Sequence, residues 1–239
     1  MRAFWLSAAC VASALGAGAC SDDSERKVTV VAASSLQGTL DDIAADWTSE
    51  SGIEVEISYA GSQTLAAQLR DGFPADVAII ASVRIIGELS STRALDGEPV
   101  DFALNEIVLA FASGVQPVAI EELIGSDLII TLADPAVPLG EYTAAAFLHV
   151  GIDPGIVGPA SLEPSAAAVV TRLRTGDADV AVIYATDASG FATSPLDGAL
   201  ATYSAAAIGG ATDHGIEFLD HLGSPASRST LVAAGFLVP

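Results

Sequence analysis

Hydroxyl side chains follow two apolar strands of this sequence, at the points where helices are predicted to begin. Ser34 and Ser35 come directly after the strand at residues 28–33, and Ser62 comes shortly after the strand at residues 53–59. In open α/β sheets, ligands bind at the carboxyl ends of strands, where the first turns of helices leave backbone N–H groups without partners. Hydroxyls and free N–H groups are uncharged donors that can surround a small anion. The plainer alternative is that these serines only cap their helices.

Strands and helices alternate along most of the chain. The strands are apolar runs, and the helices carry apolar side chains at three- and four-residue spacing, as from Leu36 to Trp47. The predicted strands are residues 28–33, 53–59, 77–81, 107–112, 128–132 and 180–184, and the predicted helices are residues 36–47, 64–70, 141–150, 165–175, 215–222 and 227–234. This alternation predicts an α/β fold with mainly parallel sheets flanked by helices, and residues 107–112 are a candidate strand for crossing between two lobes.

The chain is strongly acidic. It has 9 lysine and arginine residues against 30 aspartate and glutamate residues, which gives a formal net charge of −21. Nucleic acid is excluded as a partner, because contacts to phosphates need clustered lysine and arginine side chains. An anionic membrane surface would also repel the protein, so we expect membrane attachment only through a covalent lipid. The net charge does not decide the ligand, because a buried site is governed by its local donors.

The first nineteen residues are predicted to be a signal peptide. Arg2 precedes an apolar stretch at residues 3–15 that is too short to span a bilayer, and small residues at 16–19 lead to Cys20. This order is typical of a bacterial lipoprotein signal, so we predict a lipid on Cys20, a tether at residues 20–27 and an extracytoplasmic location in the periplasm or cell-wall space. The alternative is an ordinary signal peptide with Cys20 unmodified. Because Cys10 lies in the signal, the mature chain can form no internal disulfide.

Motifs of common enzyme classes are absent from the sequence. There is no G-x-S-x-G elbow, no H-E-x-x-H, no glycine-rich phosphate loop with lysine and no C-x-x-C. The three histidines His149, His214 and His221 are scattered, and no acid–histidine pair suggests a catalytic site. We therefore predict a binding protein rather than an enzyme, without a cofactor and without a metal site of its own.

Short motifs along the chain carry a more specific resemblance. They are VVAASSL at 30–36, YAGSQTLA at 59–66, GFPADV at 72–77, DPAVPLGEY at 134–142, GDADV at 176–180 and IYATDA at 183–188. In this order they resemble the periplasmic molybdate-binding proteins of ABC transporters, over nearly all of the chain that follows the predicted signal peptide.

The resemblance implies a two-lobe periplasmic-binding-protein fold of type II, with the ligand in the cleft between the lobes. Lobe 1 would comprise residues 28–104 and 204–239, and lobe 2 would comprise residues 105–203. The implied function is the capture of molybdate, or tungstate, for import by the permease and ATPase subunits of a transporter, by a protein that works as a monomer. Two alternatives stay open: binding of another tetrahedral oxyanion such as sulfate, and a secreted α/β enzyme that acts on an oxyanion ester.

The resemblance also implies which residues hold the anion. Ser35 and Ser62 would contribute hydroxyl and amide donors from lobe 1. Leu139 and Ala166 would contribute backbone N–H groups from helix starts in lobe 2, and Tyr184 would contribute its phenol. At Leu139 and Ala166 the side chain makes no contact with the anion, so its identity matters little.

Overall fold

The structure is a computed structural model, and it describes residues 27–92, 94–158 and 160–239. The strands are β1 (Lys27–Ala33), β2 (Glu54–Ala60), β3 (Val77–Ile80), β4 (Leu95–Phe111), β5 (Ile130–Ala133), β6 (Ser161–Glu163), β7 (Val180–Tyr184) and β8 (Ala192–Ile208). The helices are α1 (Thr39–Ser51), α2 (Ser62–Arg70), α3 (Val83–Ser91), α4 (Ile120–Leu123), α5 (Pro138–His149), α6 (Ala166–Thr175), α7 (Asp213–Leu222) and α8 (Pro225–Ala233). The predicted signal peptide, Cys20 and all of the tether except Lys27 lie outside the described residues.

Among the described residues, no helix is both long enough and apolar enough to cross a membrane.

All eight strands form one mixed sheet, in the order β2-β1-β3-β8-β4-β7-β5-β6. Parallel pairing joins β1 to β2 and to β3 at one end of the sheet, and β5 to β6 and to β7 at the other end. The long strands β4 and β8 lie in the middle and are antiparallel to each other and to their other neighbours. Each end of the sheet is therefore mainly parallel, as the βα alternation predicts, and the α/β fold class is confirmed.

The strands β4 and β8 connect the two ends of the sheet. Both are 17 residues long, and they pair from Leu95 opposite Ile208 to Phe111 opposite Ala192. The predicted crossing strand at residues 107–112 is thus the last part of β4. The predicted boundaries between the lobes, at residues 104/105 and 203/204, fall inside these two strands. The exact division into lobes stays a prediction, and lobe 1 and lobe 2 denote the predicted ranges.

Several elements were not predicted from the sequence. The helix α3 was missed, although Ser82 caps it by accepting a hydrogen bond from the backbone N–H of Ile85 at 3.3 Å. The strand β8 was missed because its second half is a run of small residues, and because β8 bulges between Pro195 and Leu200, where its pairing with β4 is interrupted. The bulge breaks the two-residue alternation by which a strand is recognised.

A buried carboxylate fixes the loop before β3. Asp76 accepts hydrogen bonds from the backbone N–H of Thr29 at 2.8 Å, and from the N–H and hydroxyl of Thr212 at 2.8 and 2.9 Å. Thr212 in turn caps α7 through its bond from the N–H of Gly215. Asp76 therefore joins β1, β3 and α7 near the amino ends of β1 and β3.

Candidate anion-binding site

A small cavity lies where the carboxyl ends of strands from both lobes meet. Its volume is about 30 Å³, which suits an ion of a few heavy atoms, whereas sites for drug-sized molecules have volumes of about 300–1,000 Å³. The cavity is lined from lobe 1 by Ala33, Ser34, Ser35, Ala60, Gly61, Ser62 and Ala81, and from lobe 2 by Val137, Pro138, Pro164, Ser165, Ala166 and Tyr184. The lining follows the ends of β1, β2, β3, β5, β6 and β7, so each wall comes from a strand-to-helix connection.

The two lobe 1 serines line this cavity with hydroxyls that already accept a hydrogen bond. The Ser62 Oγ accepts from the backbone N–H of Ala81 at 3.1 Å, and the Ser35 Oγ accepts from the hydroxyl of Tyr203 at 3.0 Å. None of the hydrogen bonds among the described residues uses the proton of either hydroxyl, so both protons are available to a ligand. The N-cap positions belong to Ala33 and Gly61, so neither serine caps a helix with its side chain.

Lobe 2 presents the starts of two helices to the same cavity. The helix α5 begins at Pro138, which has no N–H, so the N–H of Leu139 is the first that this helix offers. The helix α6 begins at Ala166, after Ser165, whose Oγ accepts a bond from the N–H of Ala168 at 3.1 Å. The first N–H groups of a helix have no acceptor within the helix, and the helix dipole makes this end partially positive. Both helix starts therefore favour an anion.

Tyr184 closes the cavity at the end of β7. Its side chain is 2% exposed, and burial raises the pKa of its phenol well above the ordinary value. The phenol consequently keeps its proton at neutral pH and can act as a donor. None of the hydrogen bonds among the described residues uses this hydroxyl, so its proton remains for the cavity.

The electrostatics of the cavity come from uncharged groups. Its lining residues carry no charged side chain. Behind the wall, Asp187 follows Tyr184 in a single 3-10 turn, and burial raises the pKa of its carboxyl to about 6 while the cation of Arg174 acts in the opposite direction. A bound anion would therefore be held by dipoles and hydroxyl protons, without an ion pair.

Polar contacts join the lobes beside the cavity. The amide of Gln63, in α2, donates to the carbonyl oxygen of Ala136, just before α5. The carboxylate of Glu141 accepts from the hydroxyl of Ser82 at 3.3 Å and from the guanidinium of Arg84 at 3.4 Å. These contacts hold the two walls together, so the cleft is narrow enough for one small ion to touch both.

A larger depression on the surface is a poor site for an anion. It has a volume of about 490 Å³ and lies where β8 bulges away from β4. Two of its lining residues are the acidic Glu106 and Asp197, whose charges repel an anion, and no helix begins among its lining residues. The small cavity is therefore the candidate site.

The structure brings most of the predicted site residues together. Ser35, Ser62, Ala166 and Tyr184 line the one cavity, although they are far apart in the sequence. Leu139 does not line it; its side chain is fully buried, and its neighbours Val137 and Pro138 form that part of the wall. The roles of all five residues in holding an anion stay predictions.

Sequence reasoning missed the partners of the two serines. Tyr203 lies 168 positions from Ser35, in the strand that was not predicted, and no local pattern points to their hydrogen bond. The bond from Ala81 to Ser62 was also missed, although the place of Ala81 at the end of a predicted strand put it near the carboxyl edge of the sheet.

Comparison with known proteins gives a consistent result. The molybdate-binding protein ModA of Mycobacterium tuberculosis is 33% identical over 172 residues, which are 70% of this chain and 64% of that protein. The chain thus spans less than two thirds of that relative's length. ModA of Escherichia coli is 28% identical over 242 residues, and the match covers 90% of each chain. The resemblance to molybdate-binding proteins inferred from the motifs is confirmed.

The fold comparison agrees. The periplasmic molybdate-binding protein of Azotobacter vinelandii superimposes with a TM-score of 0.77 at 20% identity, over 89% of this chain and 99% of the other. The two-lobe fold is thereby confirmed. The family model that matches residues 28–237 describes solute-binding proteins that act outside the cytoplasm, which confirms the prediction of a binding protein rather than an enzyme and of an extracytoplasmic location. The chain therefore belongs to the bacterial extracellular solute-binding proteins.

Proposed function

We propose that this protein captures molybdate, or tungstate, outside the cytoplasmic membrane and delivers it to the permease and ATPase subunits of an ABC transporter. The observation that carries the proposal concerns the two serines: Ser35 and Ser62 line a cavity of uncharged groups, each accepts a hydrogen bond, and the proton of each is available to a ligand. The sequence similarity to the molybdate-binding proteins of Mycobacterium tuberculosis and Escherichia coli supports the choice of ion.

The chemistry of the lining favours a fully deprotonated dianion. Near neutral pH, hydrogen phosphate carries a proton that needs an acceptor, whereas molybdate, tungstate and sulfate do not. The lining has no carboxylate and no histidine to accept that proton. A buried proton without an acceptor costs about 1–3 kcal/mol, so phosphate should bind more weakly than the dianions.

Each lobe would contribute a share of the hydrogen bonds. In this proposal the Ser35 and Ser62 hydroxyls donate from lobe 1, while the N–H groups of Leu139 and Ala166 and the phenol of Tyr184 donate from lobe 2. An ion bound in this way touches both lobes and stabilises the closed cleft, because only the closed arrangement offers all donors at once. The closed form is then the form that the transporter receives.

The ligand specificity can be measured directly. In calorimetric titration of the mature protein, molybdate and tungstate should bind tightly, and phosphate should bind at least about fivefold more weakly, the factor that 1 kcal/mol produces. The bound ion should also raise the melting temperature, because ligand at a hundred times its Kd adds about 2.7 kcal/mol to the free energy of unfolding.

Two outcomes would contradict the molybdate assignment. Tighter binding of sulfate than of molybdate would reassign the same site to sulfate. Equal binding of phosphate would show that the cavity accommodates the phosphate proton, although its lining has no carboxylate or histidine to accept it. Turnover of an oxyanion ester would contradict the binding function as a whole.

We further propose that Cys20 carries a lipid that holds the protein at the cell membrane and that the protein acts as a monomer. The small residues before Cys20 and the apolar run at residues 3–15 support the lipid, and the surface charge gives no other means of attachment to an anionic membrane. Replacing Cys20 by serine should move the protein from the membrane fraction to the soluble fraction and leave the Kd for molybdate unchanged. If the unaltered protein is already soluble after cell fractionation, it has no such anchor.

A further inference from the structure

Behind the cavity wall, a buried tyrosine contacts one of the two serines. Tyr203 is fully buried, lies in β8 and does not line the cavity. Its hydroxyl donates to the Oγ of Ser35 at 3.0 Å. The bond joins one of the strands that connect the lobes to the first helical turn after β1.

Burial keeps the Tyr203 phenol in its neutral, donating form. It raises the pKa of this phenol above the ordinary value. The phenol therefore keeps its proton, and the Ser35 Oγ is the acceptor for its one O–H.

A bound anion would extend this hydrogen bond in one direction. The Tyr203 hydroxyl donates to the Ser35 hydroxyl, which would in turn donate to the anion in the cavity. Hydrogen bonds that follow one another in the same sense polarise each other, so the last donor is strengthened. The Ser62 hydroxyl likewise accepts one hydrogen bond, which comes from the backbone N–H of Ala81.

We propose that Tyr203 is a positioning residue for anion binding: it occupies the acceptor site of the Ser35 hydroxyl and so commits the proton of that hydroxyl to the bound oxyanion. The inference rests on the proposed function, because it names how one donor of that site is held in its donating orientation.

Removal of the phenol hydroxyl tests the proposal without removing the ring. The Tyr203 ring packs edge-on against Phe236, with centroids 5.6 Å apart, and lies 6.4 Å from the ring of Tyr184. Tyr203→Phe keeps these contacts, and the loss of one oriented hydrogen bond should raise the Kd for molybdate about three- to tenfold. In a Ser35→Ala background the same change should leave the Kd unaltered, because the hydroxyl that it orients is gone.

The matched control is Tyr59→Phe. The hydroxyl of Tyr59 donates to Asp41 at 2.7 Å and does not line the cavity, so its removal should leave the Kd unchanged. Calorimetry on the four variants of the cycle, with the melting temperature of each measured in the absence of molybdate, separates orientation from a general loss of stability. A structural effect would weaken binding equally in both backgrounds.

Two results would overturn the inference. One is an unchanged Kd in Tyr203→Phe; the other is the same loss of affinity with and without the Ser35 hydroxyl. If either is found while Ser62→Ala still weakens molybdate binding, the proposed function stands and only the role of Tyr203 is wrong. If the unaltered protein binds no oxyanion, both the proposed function and the proposed role of Tyr203 are wrong.

Discussion

Replacing Ser62 by alanine should raise the Kd for molybdate by about ten- to hundredfold. The change removes the hydroxyl that faces the cavity and keeps the backbone N–H at the start of α2. A hydrogen bond to a charged group contributes about 1.5–3 kcal/mol, and 1.4 kcal/mol corresponds to a factor of ten in Kd. We expect the increase in Kd to lie in the upper part of this range, because Ser62 is 2% exposed and water has little access to the position of its hydroxyl.

The same variant should also lose stability. Without the Ser62 Oγ, the backbone N–H of Ala81 is left buried without its partner, at a cost of about 1–3 kcal/mol. A control must therefore separate stability from affinity. Ser227→Ala serves this purpose, because Ser227 is 1% exposed and donates to the carbonyl oxygen of His221 at 2.7 Å, in the C-terminal helices and away from the cavity.

Calorimetry and thermal unfolding should then distinguish the two variants. Ser227→Ala should lower the melting temperature and leave the Kd unchanged, whereas Ser62→Ala should change both. Ser34→Ala, at a serine that also lines the cavity, should weaken binding less than Ser35→Ala, because the family resemblance assigns the contact to Ser35. Unchanged affinity in both Ser35→Ala and Ser62→Ala would place the anion elsewhere.

The part of the site that the sequence could predict is local in the chain. Ser35 and Ser62 each follow a strand within a few residues, so the strand pattern and the position of the serine lie in the same short segment. Parallel strands bring such segments to one edge of a sheet. Ala166 was placed at a helix start by the family resemblance, and the structure has all three residues at one cavity.

The part that could not be predicted depends on contacts between distant segments. The hydrogen bond from Tyr203 to Ser35 requires the pairing of β8 with β4 and β3, and β8 has no clear alternation in its second half. A pattern that is confined to one segment contains no information about this contact.

Leu139 is an intermediate case. The motif indicated that it lies in the first turn of a helix, and the structure shows which contacts position that turn. The residue after it, Gly140, packs directly on the connection between β5 and α5. An added Cβ at Gly140 would lie 2.1 Å from the carbonyl oxygen of Asp134 and 2.8 Å from that of Ala133. Glycine is therefore required here by close approach of two backbone segments, and the start of α5 is positioned by it.

Replacing Gly140 by alanine should accordingly damage the lobe 2 wall of the site. The clashing atoms belong to the backbone and cannot move freely, because the N–H of Asp134 donates to the carbonyl oxygen of Glu163 and its carbonyl oxygen accepts from Val137, both at 2.8 Å. The helix start must shift instead, and the N–H of Leu139 shifts with it. Loss of the charge-assisted hydrogen bond that we propose between this N–H and the anion should raise the Kd about ten- to hundredfold, and the overpacking should lower the free energy of unfolding by about 1–3 kcal/mol.

Gly87→Ala is the matched control for this prediction. Gly87 is an exposed glycine within α3, and an added Cβ there meets no atom within 4 Å. Alanine at that position should leave the Kd unchanged and stabilise the protein by about 0.5–1 kcal/mol, because glycine is the poorer helix former. The comparison needs only calorimetry and denaturant unfolding on the two variants. If Gly140→Ala unfolds and binds molybdate as the unaltered protein does, the start of α5 is free to move without consequence, and its N–H groups do not hold the anion.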